Sequence, residues 1–456
     1  MAITNRFPIP TDPLSPPTCS PRQLAPIESP PLISDFPKLP SAPRISLLDP
    51  YFSVTTHLVP AAFPRTAPDV PVPGGQERLC DPASRKEAAS KAAEAIVSNK
   101  MKQWEGKAGS GSRKLLWVCW NRYVNKTPRG QPNRTPLTLL CAHAGSSTKE
   151  MWEPVLRHVF NATSNYHVDE IWSFDAFNHG DSHLVNANSL GGIVDWHDNT
   201  RDILQFLLHY FPIDANSALL PTHLPRIDDH IATARARNGS ASRTLVGLGH
   251  SFGAVALLRA AIAHPVLFSS IIVADPTIQP APDNGPFVTQ GHQSIIHRTV
   301  QRSDHFRSRA EARRRFKAVP ALSAWDPSMM DVYIDHGLMD NPDGTVKLKT
   351  PSIHEAMVYA DARSQYEVWE LLPILDERVE LMWIMPGLDV AEKQLRPEKA
   401  YEIRQNSVWR RAKNASNIRI PDTSHFLVHE KPKDTARVIN AFLERKYGDN
   451  ETAYKL

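Results

Sequence analysis

Gly249-His250-Ser251-Phe252-Gly253 fits the pattern G-x-S-x-G, in which a serine stands at a sharp turn between a strand and a helix. Such a turn strains the serine backbone and leaves its hydroxyl exposed, and the glycines let strand and helix approach without Cβ clashes. An apolar β-rich run at 244–249 precedes the motif and an apolar helical run at 254–263 follows it, the context the motif requires. A serine at its ordinary pKa is a weak nucleophile and needs a base. Of 19 histidines, His425 is the candidate, at the end of a short strand that runs into a loop. Serine first and histidine last is a chain order in which such pairs occur. His250 is a poorer base, because neighbouring side chains diverge. His425 and His429 have a metal-like i, i+4 spacing but lack the glutamate of a zinc-protease motif, so no metal is expected.

A third group must fix the imidazole tautomer and stabilise the imidazolium. Two aspartates compete: Asp275, ending the run 271–275, and Asp389, following the run 379–385. Both are expected at carboxyl ends of strands, and periodicity does not separate them. For the developing oxyanion, the loop 142–146 offers the amide of Gly145 beside that of Phe252. His143 in that loop is read as structural. Together these residues can run acyl transfer through a covalent serine intermediate, with no cofactor and no metal.

These groups must be held by a scaffold, and the chain has the material for one. It has 456 residues, with 41% apolar and 22% charged, which excludes wholesale disorder. A net charge of +4 is too small for a protein that coats nucleic acid. Cys19, Cys80, Cys119 and Cys141 have neither disulfide nor zinc spacing, which favours a reducing compartment. No apolar run approaches the roughly 18–20 residues of a membrane span, and the start does not read as a secretory signal. An intracellular protein is expected.

Of 40 prolines, 13 fall within residues 1–50, which forbids helices and central strands there. Residues 1–45 are therefore expected to be a flexible tail, with a packed or partner-binding arm as the alternative. From 115 onward short β-rich runs (115–124, 137–142, 169–174, 244–249, 268–274, 379–385, 417–420) alternate with helical ones (149–160, 196–211, 254–263, 396–412, 431–446). Such alternation predicts an α/β fold with a mostly parallel sheet and helices on both faces. Residues 46–114 read as an N-terminal extension containing one helix, at 84–104. Residues 212–242 read as a surface excursion. Residues 280–375 are polar and helical with no clear strand, and read as a cap over the strand ends where such folds bind ligands. That leaves 115–279 and 376–447 as the two parts of the core and 448–456 as a C-terminal tail.

The region 115–447 resembles the α/β-hydrolase superfamily. Besides the elbow, 175–182 (DAFNHGDS) is similar to that superfamily's D-x-R-G-H-G-x-S stretch, with Asn178 in place of the usual glycine. AHAGSSTKEMWEP (142–154), GHSFGA (249–254), ADPTIQ (274–279), SRAEARRRF (308–316) and WDPSMMDVYIDHGL (325–338) resemble a fungal group. Its members include the peroxisomal acyl-CoA hydrolase of mycophenolic acid biosynthesis and hydrolases of Alternaria toxin pathways. The resemblance implies a helical cap between strands 6 and 7 and an acid after strand 6, hence Asp275, with Asp389 as the alternative. It also implies a small hydrophobic acyl substrate, such as a coenzyme A thioester, in secondary-metabolite or toxin biosynthesis.

The expected function is a serine hydrolase of esters or thioesters. The alternatives are a carbon–carbon hydrolase, lactonase or acyltransferase on the same triad, or a non-catalytic binding protein on the same scaffold. Arg298, Arg302, Arg307, Arg309, Arg313, Arg314, Arg315 and Lys317 offer either a phosphate dock or a solvated helix face. The end, Tyr454-Lys455-Leu456, shares Lys and Leu with a peroxisomal S-K-L signal, so the expected location is cytoplasmic or peroxisomal.

Overall fold

Strand β3 (Leu137–Ala142) is buried along its whole length. Its successive side chains point to opposite faces, so Leu139 and Cys141 enter one apolar cluster while Leu140 and Ala142 enter another. The same division runs through β5 (Thr244–His250), β6 (Ser270–Ala274) and β10 (Glu380–Pro386). In β10, for example, Met382 and Ile384 face one cluster and Leu381, Trp383 and Met385 the other. A sheet with apolar side chains on both faces needs helices on both, as the continuous hydrophobic runs imply.

In this computed structural model, which describes residues 6–42, 44–74, 82–127, 135–162, 164–215, 219–283, 287–387 and 397–448, eight strands form that sheet. The others are β1 (Phe52–Pro60), β2 (Trp117–Asn125), β4 (Val168–Phe174) and β11 (Ala415–Ile420). Their order is β1-β2-β4-β3-β5-β6-β10-β11. β2 runs antiparallel to both β1 and β4, and every other neighbouring pair is parallel. The fold is the expected α/β arrangement with a mostly parallel sheet. The sheet begins earlier than the sequence suggested, however, because β1 adds an antiparallel edge strand from within 46–114. The excursion at 212–242 contains a helix, Asp229–Asn238.

Between β6 and the adjacent β10, the chain forms a helical insertion that includes Gln290–Val300, Arg309–Lys317, Pro327–His336, Ser352–Tyr359 and Arg363–Leu371. The helix Arg309–Lys317 begins at the S-x-x-E of SRAE, where Ser308 Oγ accepts the Glu311 N–H and Glu311 accepts the Arg307 N–H. The expectation of no strand here is corrected. β7 (His305–Phe306), β8 (Leu338–Asp340) and β9 (Val346–Leu348) form a small antiparallel sheet in the order β7-β9-β8. Strands of two or three residues are too short to print a period on the sequence.

The expected flexible tail also needs correction. Residues 6–42 contain no helix, as the prolines require, but they lie docked on the body. Phe7 is buried, and its N–H donates to Asn417 Oδ1 at 2.7 Å. Arg22 donates to Glu367 Oε1 at 2.6 Å and to Asp195 Oδ2 at 2.7 Å, both carboxylates being fully buried. Proline forbids regular structure, not docking, and Phe7 and Arg22 supply the anchors. Cys19, Cys119 and Cys141 are buried and unpaired. Cys80, Asp389 and Tyr454-Lys455-Leu456 lie outside the described residues.

Candidate active site

Ser251 is the first residue of the helix Ser251–Ala263, directly after β5. Its φ is +52°, the left-handed region that L-residues occupy only when the surroundings enforce it. Those surroundings explain both glycines. A Cβ on Gly249 would stand 2.5 Å from the Ala254 Cα, and one on Gly253 would stand 2.4 Å from the His143 carbonyl oxygen. Both clashes are with backbone, so neither side can yield cheaply. The turn thus presents the serine, as the motif predicted.

The structure brings together three of the predicted residues. His425 Nε2 lies 2.8 Å from Ser251 Oγ, and His425 Nδ1 lies 2.7 Å from Asp275 Oδ2. Asp275 follows β6, also at positive φ (+32°), with its N–H donating to the Ile384 carbonyl at 2.9 Å. Burial alone would raise its pKa. The Arg404 guanidinium and the His425 hydrogen bond outweigh that and hold it well below the usual carboxylate range. The serine proton can pass to Nε2 while the carboxylate steadies the ring from the other side, the geometry that nucleophilic acyl chemistry needs.

Two residues were not foreseen. Arg404, on the helix Pro397–Trp409, binds Asp275 Oδ1 through Nε at 2.9 Å and Oδ2 through its terminal nitrogen at 2.7 Å. Thr277 Oγ1 lies 3.0 Å from Ser251 Oγ. Thr277 had a signal, since ADPTIQ carries the resemblance, whereas nothing marked Arg404 among the other charges of its helix.

His250 is not a second base. Its Nε2–H donates to the His425 carbonyl at 2.9 Å, and burial pushes its pKa down to about 3. It anchors the loop that carries His425. His429 does not converge with His425 on a common point; it stacks on Trp325 with ring centroids 4.4 Å apart. His143 is buried, donates through Nδ1 to the Ala144 carbonyl at 2.6 Å and accepts the Ala176 N–H at Nε2 at 3.0 Å. It therefore ties the loop 142–146 to the chain after β4.

The DAFNHGDS stretch is wound around Asp175. That carboxylate accepts the N–H groups of Lys149 and Asp181, each at 2.8 Å, and the Lys149 ammonium at 2.8 Å. Gly180, at φ +49°, has no room for a Cβ, which would stand 2.5 Å from the same carboxyl. These buried charges support the floor of the site and do not reach the reacting atoms.

A cavity of about 1130 Å³ opens over Ser251. It is lined by Gly145, Phe252 and His425 from the core, and by Thr277, Ile295, Val358, Tyr359 and Tyr366 from the chain between β6 and β10. The two residues expected to supply oxyanion donors, Gly145 and Phe252, thus flank the serine in one chamber. The volume exceeds that of most small-molecule sites, and the lining combines apolar and aromatic side chains with polar and charged ones, among them Asp283, Arg298, Lys399 and Glu402. Of the cation run only Arg298 lines this chamber. Arg302 pairs with Glu355, Arg307 and Arg315 with Glu311, Arg309 with Asp340 and Arg313 with Asp331. The run is therefore mostly a laced helix face.

Residues 139–438 match the family model described as alpha/beta hydrolase. The type I acyl-CoA thioesterase mpaH of Penicillium brevicompactum is 28% identical over 220 residues, 48% of this chain and 44% of that one. The abhydrolase domain-containing protein ACTT2-1 of Alternaria alternata is 27% identical over 226 residues, 44% of this chain and 83% of that one. The match thus spans less than half the length of that thioesterase. Among solved structures, the peroxisomal alpha-beta-hydrolase Lpx1 of Saccharomyces cerevisiae has a TM-score of 0.59 over 89% of this chain and 93% of its own, at 18% identity. At that identity the likeness speaks for the fold alone.

Proposed function

Because the chain belongs to the alpha/beta hydrolase family, we propose that it is a serine hydrolase cleaving an ester or thioester of a hydrophobic acyl group, with Ser251, His425 and Asp275 as its triad. Ser251 Oγ attacks the carbonyl carbon while His425 Nε2 takes its proton. The amides of Gly145 and Phe252 stabilise the oxyanion, and the imidazolium returns the proton to the leaving group. Water, activated by His425, then releases the acid and regenerates the serine. The observation that carries this reading is His425 bridging Ser251 at 2.8 Å and Asp275 at 2.7 Å.

The large, mainly apolar chamber supports a hydrophobic acyl group, and the thioesterase named among the relatives supports a coenzyme A thioester. The chain between β6 and β10 serves as the cap that closes over that group. A role in fungal secondary metabolism extends this proposal through the resemblance of the sequence tracts at 142–154, 249–254 and 274–279 to the fungal group. A peroxisomal location is supported by a relative named as a peroxisomal membrane protein of Saccharomyces cerevisiae, 29% identical over 146 residues. No helix among the described residues is long and apolar enough to cross a membrane.

The test is thiol release from a panel of acyl-CoAs, with esters and lactones alongside, by the wild type and by Ser251→Ala. The reading expects turnover by the wild type and a loss of about 10⁴-fold or more in the variant. Turnover that persists in Ser251→Ala, or none by the wild type on any acyl substrate, overturns it.

A further inference from the structure

The cavity over Ser251 has a wall that the family match does not account for. Leu14, Ser15 and Pro16, from the Pro-rich segment, line the same chamber as Ser251 and His425. They lie more than a hundred residues ahead of the region 139–438 that matches the family. We propose, building on the reading of Ser251 as the acyl acceptor, that this arm forms one side of the acyl subsite and that Leu14 limits the bulk of the acyl chain admitted.

The arm is seated on both sides of the three residues. Before them, the Phe7 N–H donates to Asn417 and its carbonyl accepts the Trp409 Nε1–H at 3.1 Å. At the wall itself the Leu14 N–H donates to Asn406 Oδ1 at 2.9 Å. After it, Arg22 is clamped between Asp195 and Glu367. A segment held at three points keeps its side chains in place, which a size filter requires.

The chemistry of the stretch suits an apolar ligand. An unpaired N–H against the apolar part of the chamber costs free energy, and Pro16 has none to leave unpaired. The Leu14 N–H, which would otherwise be such a group, is consumed by Asn406. Leu14 packs against the large apolar cluster. Proline density, read from sequence as a reason for looseness, here gives an extended wall with few backbone donors. The anchoring asparagines Asn406 and Asn417 and the Asp195–Glu367 clamp are buried or part-buried, so the arm is seated by specific bonds and not by general adhesion.

The experiment separates this inference from the hydrolytic reading by measuring binding without catalysis. Ser251→Ala and Ser251→Ala/Leu14→Trp are titrated with cis-parinaric acid, a fluorescent long-chain acid, with thermal midpoints as fold controls. Leu14→Trp should raise the Kd at least tenfold, and Leu14→Ala should leave it equal or lower. Equal Kd values with and without the Leu14→Trp substitution, or no binding to either protein, overturn the inference. Should Leu14→Trp not fold, Ser15→Phe carries the same expectation. In a Ser251 background, Leu14→Trp should also raise KM for p-nitrophenyl decanoate about tenfold more than KM for the acetate. An equal effect on both esters counts against the arm. A wild type that hydrolyses neither ester counts against the hydrolytic reading, and the parinarate result then still decides the arm.

Discussion

Arg404 grips both carboxylate oxygens of Asp275, at 2.9 and 2.7 Å, while His425 shares one of those oxygens at 2.7 Å. The acid therefore stands between a permanent cation and the imidazole that it orients. Burial works against its charge, and the arginine restores it. Held from both sides, the Asp275 carboxylate fixes the direction in which the His425 ring points. In the proposed triad Arg404 is a positioning residue that acts through the carboxylate.

Replacing Arg404 by Ala should lower kcat about tenfold with KM little changed, and Lys should restore little, because an ammonium cannot make the two-pronged contact. The acid side of the stability profile should move as well. A carboxyl held below its ordinary pKa adds stability above that value, lost as pH falls through the lower, folded value. Without Arg404 the folded value rises, and acid unfolding begins at higher pH. Urea melts between pH 5 and 3 read this directly. Superimposable acid limbs for variant and wild type would sink the claim.

Asp275→Asn should reduce kcat by about 10⁴-fold, as expected when the group that fixes the imidazole tautomer is neutralised. Asp389→Asn should stay within about threefold of the wild type. Steady-state thiol release decides between them, and the reverse order of effects would move the acid to Asp389.

Thr277 Oγ1 lies 3.0 Å from the nucleophile, whose own proton is directed to His425. In the proposed mechanism the threonine hydroxyl then donates to Ser251 Oγ and fixes its rotamer. Thr277→Val preserves the shape and removes the donor, so kcat should fall about two- to tenfold, matching roughly 0.5–1.5 kcal/mol for one hydrogen bond. The second-order rate of fluorophosphonate labelling should fall in parallel. Unchanged labelling would leave Thr277 a packing residue.

Several buried histidines, among them His143, His183, His250 and His354, give a separate pH signature. Burial pushes the pKa of His143 and His183 down to about 4 and that of His250 and His354 down to about 3. An unfolded histidine takes its proton near pH 6.5, so below that value the unfolded chain binds more protons than the folded one. Stability should fall as pH drops from about 6.5, before most carboxylates titrate. Calorimetric midpoints at pH 7, 6 and 5 should decline by several degrees. A flat profile over that range would contradict the buried, neutral state of these rings.

What the sequence disclosed follows from how local each cause is. Gly249 and Gly253 answer to atoms of the turn they flank and the loop behind it, so the elbow could be read from five letters. Asp275 and Asp389 each follow a strand, and only the fold shows that Asp275 meets His425. The helix carrying Arg404 was legible, but the face it turns to Asp275 is set by packing against the whole sheet. In β1 the burial alternates only in its first half, and a leading proline-rich stretch disguised the rest. The proline count correctly forbade helices in residues 6–42, but it carried no information about where Phe7 and Arg22 would find partners.

Those partners are far away along the chain. Phe7 and Asn417 are separated by 410 positions, and Leu14 and Asn406 by 392. During synthesis Leu14 must wait for the helix Pro397–Trp409 before it can seat on Asn406. Until then Ser251 faces an open-sided cleft. A chain made only as far as β10 would hold Ser251 but neither Asn406 and Asn417, which seat the arm, nor His425, so the wall of the chamber and the imidazole reach the serine from the same late stretch of sequence.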